Sequence, residues 1–149
     1  MLSGIQDADI YSANLTINPL KRLYLSATVS YTDSSVETAS NGSLAVEPYR
    51  GNIVSLIGSA SYALDLKTDL KASYSFSRAD YLQGQGINGL PVGLAYDWHR
   101  FMIGFGRTMR KNLHAQLQYA LYQYGEGYSK GANNYVAHGV FATATIHWP

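Results

Sequence analysis

Apolar and small polar residues alternate with a period of two along most of this chain. From Leu23 to Thr32, the odd positions are Leu, Leu, Ala, Val and Tyr, and the even positions are Tyr, Ser, Thr, Ser and Thr. Because successive side chains of a β-strand point to opposite faces, this pattern predicts a strand with one apolar and one hydroxylated face. The split recurs, although it is blurred in one run, and predicts seven strands at 10–17, 22–32, 54–64, 70–77, 98–107, 113–121 and 135–148.

The links between these strands alternate in length. The short links are 18–21, 65–68 and 108–112, and the long links are 33–51, 80–93 and 125–133. Short turns at one edge and long loops at the other are typical of bacterial outer-membrane barrels, in which the short turns are periplasmic. We expect Thr38 to Pro48 and Gly84 to Pro91 to be mobile loop tips, since both are rich in Gly, Ser or Asn and lack alternation.

The pattern therefore predicts an all-β fold, an antiparallel up-and-down meander of about seven long strands that forms an open or partial transmembrane β-barrel. No run of 18 apolar residues occurs, so a membrane could be crossed only by strands. A soluble β-sandwich also alternates, but its outer face is charged. Here the second face is small and hydroxylated, which favours a watery lumen and a membrane barrel over a soluble β domain.

Composition supports a membrane interface and excludes some partners. Charged residues make up 14% of the 149 residues, against roughly 25% in a typical soluble domain. Tyr occurs 13 times, and its amphipathic ring suits the boundary between apolar and wet regions. The formal net charge is only +1, so no nucleic-acid partner is expected. The absence of cysteine excludes disulfides and thiolate metal sites.

Alternation also divides the candidate functional residues between two surfaces. Lipid-facing candidates are the apolar positions Leu25, Ala27, Leu56, Ala72, Leu117, Ala142 and Trp148. Lumen-lining candidates are the polar positions Arg22, Lys71, Arg100, Arg107, His114, Gln116 and Gln118. The four cations among them could form a stripe that favours anions, although simple solvation at the lumen or at the barrel rim is the preferred interpretation.

No motif predicts catalysis, a cofactor or a metal. Gly84 to Gly89 matches a dinucleotide-binding pattern, but no strand, turn and helix surround it, and a flexible loop is the simpler interpretation. His99, His114, His138 and His147 do not fall at metal-ligand spacing. We expect no enzyme activity and no cofactor. An outer-membrane enzyme or an adhesin that presents the long loops is the alternative, and a soluble β domain is a third.

The C-terminal segment resembles a known family. Val140 to Trp148, Val-Phe-Ala-Thr-Ala-Thr-Ile-His-Trp, looks like the closing strand of bacterial outer-membrane proteins, in which alternate apolar residues lead to a final aromatic; here Pro149 follows it. The stretch from Ser77 to His138 is similar to the ends of large porin-like barrels, including those that sheath multihaem cytochromes. The resemblance implies a Gram-negative outer-membrane location, insertion by the barrel-assembly machinery, and no catalytic residue.

The strand count indicates that residues 1–149 are a single barrel segment, the C-terminal part of a larger outer-membrane barrel. Bacterial single-chain barrels have even strand numbers. With seven strands, both edge strands run in the same direction, so this piece should not close as an antiparallel barrel. We therefore expect missing N-terminal strands or self-assembly, contact with membrane lipid, and either a passive channel or a sheath around a lumen-filling protein.

Overall fold

A computed structural model describes the backbone of residues 2–40, 43–82, 94–127 and 130–146, and the side chains of residues 7–35, 51–80, 95–127 and 130–146. Within these ranges the chain forms strands. They are β1 (Leu2–Leu20), β2 (Leu23–Ser40), β3 (Ser43–Ala63), β4 (Thr68–Leu82), β5 (Leu94–Arg110), β6 (Leu113–Glu126) and β7 (Tyr135–Ile146). Among the described residues, none belongs to a helix with the length and apolar character that crossing a membrane requires.

The strands form one seven-stranded antiparallel sheet in chain order, from β1 to β7. β1 and β7 are the edges, and no ladder joins them in the part of the chain that the structure describes. The predicted all-β class and antiparallel meander are therefore confirmed. The sheet is open, as one of the two predicted forms requires.

Cross-strand register gives this sheet two faces of opposite character. Residues directly opposite each other on neighbouring strands project from the same side, so a row can be followed across the whole sheet. One row consists of Ile17, Leu25, Ala60, Ala72, Ile103, Tyr119 and Val140. The adjacent row on the other side consists of Thr16, Ser26, Ser59, Ser73, Met102, Ala120 and Gly139. We call these sides the apolar face and the polar face.

Neither face carries a second layer of structure among the described residues. The buried hydrophobic side chains there are only Ala79 and Ala120, whereas Val140 is 71% exposed and Leu15 is 60% exposed. The accessible surface is 10908 Å², against about 7,500 Å² expected for a compact monomer of 16.3 kDa. Backbone ladders and cross-strand side-chain pairs, rather than a core, therefore hold this sheet together.

Tight turns join the strands at one end of their length, and we call this side of the sheet the turn edge. The side at the opposite end of the strands is the loop edge. Neither term refers to the edge strands β1 and β7. The turns 21–22, 64–67 and 111–112 lie there, as the short links predicted. The Ala63 N–H donates to the Arg22 carbonyl at 2.9 Å, and the Thr108 N–H donates to the Lys67 carbonyl at 2.7 Å. Because these bonds connect each turn region to its neighbour, the turn edge is a continuous hydrogen-bonded rim.

The predicted long link 33–51 is wrong. Residues up to Ser40 continue β2, and β3 begins at Ser43, so most of this segment is a paired hairpin. A strand needs alternation only where its two faces meet different environments, and the hydrogen-bonded ladder continues without it. Pro48 is tolerated because the register shifts between Val36 and Thr38, and prolines occur in strands at such bulges.

The strands are longer than predicted, and β3 spans 21 residues. The two predicted loop tips have different outcomes. The expectation that Thr38 to Pro48 forms a loop tip is corrected by the same hairpin, apart from residues 41–42, which lie outside the described residues. Gly84 to Pro91, including the glycine motif, also lies outside the described residues.

Candidate functional site

Hydroxyl and amide side chains pair across the polar face of β1, β2 and β3. The Ser26 and Ser59 hydroxyl oxygens lie 2.7 Å apart, and the Asn14 amide donates to the Thr28 hydroxyl at 2.7 Å. These residues face one another because the register places them opposite each other. Short hydroxyl side chains present both donors and acceptors to water. This part of the polar face therefore presents wettable hydroxyl and amide groups without charge, beside Ile53 and Ile57 on β3.

A small polar cluster lies on the same face nearer the turn edge, on β4, β5 and β6. The Lys71 ammonium is 3.1 Å from a carboxylate oxygen of Asp69, so its charge is paired locally. A Cβ added at Gly106 would lie 2.8 Å from that carboxylate, and one at Gly104 would lie 3.0 Å from Cγ of Gln118. The two glycines thus give the neighbouring polar side chains room to lie across β5.

Aromatic rings cover the polar face near the loop edge of β5, β6 and β7. Tyr96 stacks on Tyr124 with ring centroids 5.8 Å apart, and Tyr124 stacks on Tyr135 at 5.4 Å. The Arg100 guanidinium lies 5.4 Å from the centre of the Tyr122 ring, which suits a cation–π contact. Ring edges, hydroxyls and one guanidinium therefore line this region instead of small hydroxyl residues.

Most lumen-lining candidates share the polar face, but two do not. Those on the polar face are Lys71, Arg100, His114, Gln116 and Gln118. Arg22 lies in the turn between β1 and β2, where it donates to the Leu64 carbonyl at 3.0 Å. Arg107 lies opposite Ala115, two residues after Phe105, and this places it on the apolar face. The cationic stripe is corrected accordingly, because only Lys71 and Arg100 of its four members share a face.

The lipid-facing candidates share the apolar face wherever they are described. These are Leu25, Ala27, Leu56, Ala72, Leu117 and Ala142. Leu117 is 55% exposed. Trp148 and His147 lie outside the described residues. Register thus brings residues from five different strands onto one surface, but the medium that covers this surface does not follow from register.

Two histidine–tyrosine pairs on the apolar face were missed by sequence reasoning. The Tyr74 hydroxyl lies 2.8 Å from Nδ1 of His99, and the Tyr119 hydroxyl lies 2.7 Å from Nδ1 of His138. Each pair joins neighbouring strands, so each imidazole has a polar partner within an apolar surface. Alternation places all four residues on this face, but their contacts depend on strand register.

The remaining described histidine is on the polar face. Nδ1 of His114 lies 3.3 Å from the Thr108 hydroxyl, at the turn edge. Among the described residues, no group of three or more His, Cys, Asp or Glu side chains is placed to hold a metal ion. Each described histidine therefore lies within hydrogen-bond distance of one hydroxyl group, and none belongs to a cluster of described residues that could hold a metal ion.

Cations predominate at the turn edge, and carboxylates end the apolar face of β1 to β4 at the loop edge. Exposed cations at the turn edge are Lys21, Arg22, Lys67, Arg107, Arg110 and Lys111. At the loop edge, Asp9 lies opposite Asp33, and Asn52 lies opposite both Asp33 and Asp80. These carboxylates and the amide form the row that ends the apolar face on β1 to β4.

Asp65 is an acidic residue at the turn edge. The backbone N–H of Lys67 donates to its carboxylate at 2.7 Å. This hydrogen bond and the charge of Arg107 lower the pKa of Asp65, against an opposing effect of desolvation. Asp65 is therefore ionised at neutral pH, where its carboxylate closes the turn.

Comparison with models of protein families, with curated proteins and with solved structures found no match to this chain.

Proposed function

We propose that this chain is a wall of a bacterial outer-membrane β-barrel, either a porin-like channel or a scaffold sheath with a polar lumen. The observation that carries the proposal is the uncovered apolar face, on which large side chains such as Leu15, Leu117 and Val140 are more than half exposed. Exposed apolar area costs about 25 cal/mol per Å² in water, and large apolar patches mark contact with a partner or a membrane. Lipid hydrocarbon would remove that cost.

The height of the apolar face supports a bilayer as the covering medium. On β2 the apolar positions run from Leu23 to Tyr31, close to the roughly 9 to 11 residues that a tilted strand uses to cross a bilayer. Lys21 and Arg22 precede this segment and Asp33 follows it. Charged residues at both ends and none between them are what the hydrocarbon layer requires of a lipid-facing strand.

The polar face would line the lumen. Its hydroxyl pairs on β1 to β3 would keep water against the wall, and the Lys71 charge is already paired with Asp69. The wall would therefore act passively, through the width of the barrel and the few charges that reach its interior. We assign no catalytic residue to it.

The outer sides of the edge strands β1 and β7, unpaired among the described residues, determine what must lie beside this wall in a membrane. In a bilayer, each unpaired backbone group at a sheet edge costs several kcal/mol. β1 and β7 have no outer partner among the described residues, so strands from elsewhere, in the same or another chain, would complete the barrel. Barrel-assembly machinery would insert it, and a lumen-filling protein such as a multihaem cytochrome would distinguish the sheath from the channel.

Heat-modifiable migration tests the proposal directly. Expressed with an outer-membrane signal peptide in a Gram-negative host, the protein should sediment with the outer membrane and, where self-assembly or added strands close the sheet, migrate faster on a gel before boiling than after it. Recovery in the soluble fraction, with identical migration before and after boiling, would contradict the proposal. For protein that inserts, conductance steps across a planar bilayer would favour the channel, and their absence would favour a filled sheath.

A further inference from the structure

A groove lies on the apolar face near the turn edge, across β5, β6 and β7. Its volume is about 420 Å³. Ala115, Ala142 and Ala144 form its floor, and Phe105 and Leu117 are larger apolar side chains beside them. Small residues between larger ones leave a channel on the surface into which a flexible apolar chain can settle in close contact. The groove is therefore shaped for a hydrocarbon chain.

A cation stands at the turn-edge end of this groove. Arg107 lines it and is exposed, and among the described residues it forms no ion pair. Arg110 follows on the same face, since it pairs with Leu113. Asp65 is the carboxylate on which the charge of Arg107 acts, and it is already bound by the Lys67 N–H. The Arg107 guanidinium thus has donors free at the level where the apolar face ends.

We propose that this groove binds an anionic phospholipid, with one acyl chain along the alanine floor and the phosphate against Arg107. The inference rests on the proposed membrane function and adds a specific lipid site to it. A guanidinium holds a phosphate through two parallel hydrogen bonds, and the long arginine side chain can extend from an apolar surface to the headgroup level. The bound lipid would belong to the leaflet at the turn edge.

A second apolar groove gives an internal comparison. It also measures about 420 Å³ and lies across β1 to β5, with Ala27, Ala60 and Ala72 on its floor. No charged residue lines it. This groove can take an acyl chain, but it offers nothing to a headgroup. A charge preference should therefore belong to the groove at Arg107 and not to apolar grooves of this sheet in general.

Spin-label spectroscopy tests the site. The protein is reconstituted in phosphatidylcholine vesicles that contain either phosphatidylglycerol or phosphatidylcholine labelled at the same acyl carbon, and the motionally restricted fraction gives the relative association. We expect about fivefold preference for phosphatidylglycerol, the effect of one cation near a membrane surface. Arg107→Gln should remove the preference. Lys21→Gln removes the same charge from the same edge, away from the groove, and should keep it.

A second variant tests the hydrocarbon part of the site. Ala142→Phe fills the floor but leaves Arg107 in place, and it should also lose the preference, whereas Ala60→Phe in the other groove should not. Equal losses in Arg107→Gln and Lys21→Gln, or an undiminished preference in Ala142→Phe, would overturn the site. Insertion without any preference would overturn this inference alone. Failure to insert would overturn the proposed membrane function as well.

Discussion

The first three strands of the sheet, β1 to β3, follow the alternation of apolar and polar residues more strictly than the last three, β5 to β7. In β1 to β3 the apolar face holds aliphatic residues and tyrosine, and the polar face holds hydroxyl pairs such as Ser26 with Ser59. In β5 to β7 the apolar face also holds Arg107, His99 and His138, and the polar face carries stacked tyrosines. Between its charged ends, the first region keeps polar side chains off the apolar face, although its polar face also carries Ile10, Ile53 and Ile57. The second region places polar and charged side chains on both faces.

The exceptions in β5 to β7 each have a local explanation. The two histidines accept or donate a hydrogen bond with a tyrosine hydroxyl on a neighbouring strand, and Arg107 lies where the apolar face ends. The tyrosines of the polar face stack on one another across strands. A polar group on an apolar face is therefore tolerated when a cross-strand partner or a nearby edge satisfies it.

The largest effect should come from placing a charge in the middle of the strict region. Ala27→Arg puts a guanidinium in the central row of the apolar face, and it should cost about 2 to 4 kcal/mol of folding free energy in lipid. Ser30→Arg, on the polar face of the same strand, should cost less than about 1 kcal/mol. Folding titrations into vesicles would measure both. Similar costs for the two variants would mean that both faces meet the same medium.

Glycine substitutions should separate the two regions by a smaller amount. No atom lies within 4 Å of a Cβ added at Gly58, so Gly58→Ala should stabilise the protein by about 0.5 to 1 kcal/mol. At Gly106 the new Cβ would displace the Asp69 carboxylate from Lys71, so Gly106→Ala should gain nothing and lose up to about 1 kcal/mol. Denaturant unfolding in the same lipid measures both, and a stabilising Gly106→Ala would argue against this packing.

Double-mutant cycles should distinguish a pair on the apolar face from one on the polar face. Tyr119→Phe combined with His138→Leu should give a coupling of about 0.6 kcal/mol, the average for side-chain hydrogen bonds within a membrane. Ser26→Ala combined with Ser59→Ala should give no more than about 0.5 kcal/mol, because water can replace either hydroxyl. If the serine coupling were clearly the larger, the polar face would be dry.

The smallest effect concerns pH at the turn edge. The pKa of Asp65 is lowered in the folded chain, so its ionised form adds stability above the ordinary carboxyl pKa, and that stability is lost as pH falls through the lowered value. Asp65→Asn should therefore reduce stability at neutral pH, and its difference from the parent protein should shrink as pH falls below the ordinary carboxyl pKa. Unfolding curves across this range measure the difference, and a constant difference at all pH values would exclude a charge effect.

The number and order of strands could be predicted because the apolar band leaves a period of two in the sequence. Strand ends could not, because beyond Asp33 the hairpin continues with no apolar face to mark it. The turn position of Arg22 could not be predicted either, because Arg22 directly precedes an alternating run and only the backbone geometry places it in the turn.

Contacts between side chains on neighbouring strands also could not be predicted from the sequence. The charge of Arg107 favours the polar face, although its spacing of two residues from Phe105 already indicates the apolar face. The Tyr119 and His138 pair depends on the register of β6 against β7, which side-chain type does not specify. The face on which a residue lies can thus be predicted from the alternation within its own strand, whereas its contact partner depends on the register between two strands.

The central claim, that one face meets lipid and the other meets water, is tested most directly by a spin-label scan of β2. The chain contains no cysteine, so single cysteines from Leu23 to Thr32 can be labelled without removing others. In vesicles, collision with oxygen should peak at the odd positions, and collision with a water-soluble nickel chelate should peak at the even positions. Equal access of the chelate to both sets would contradict the account.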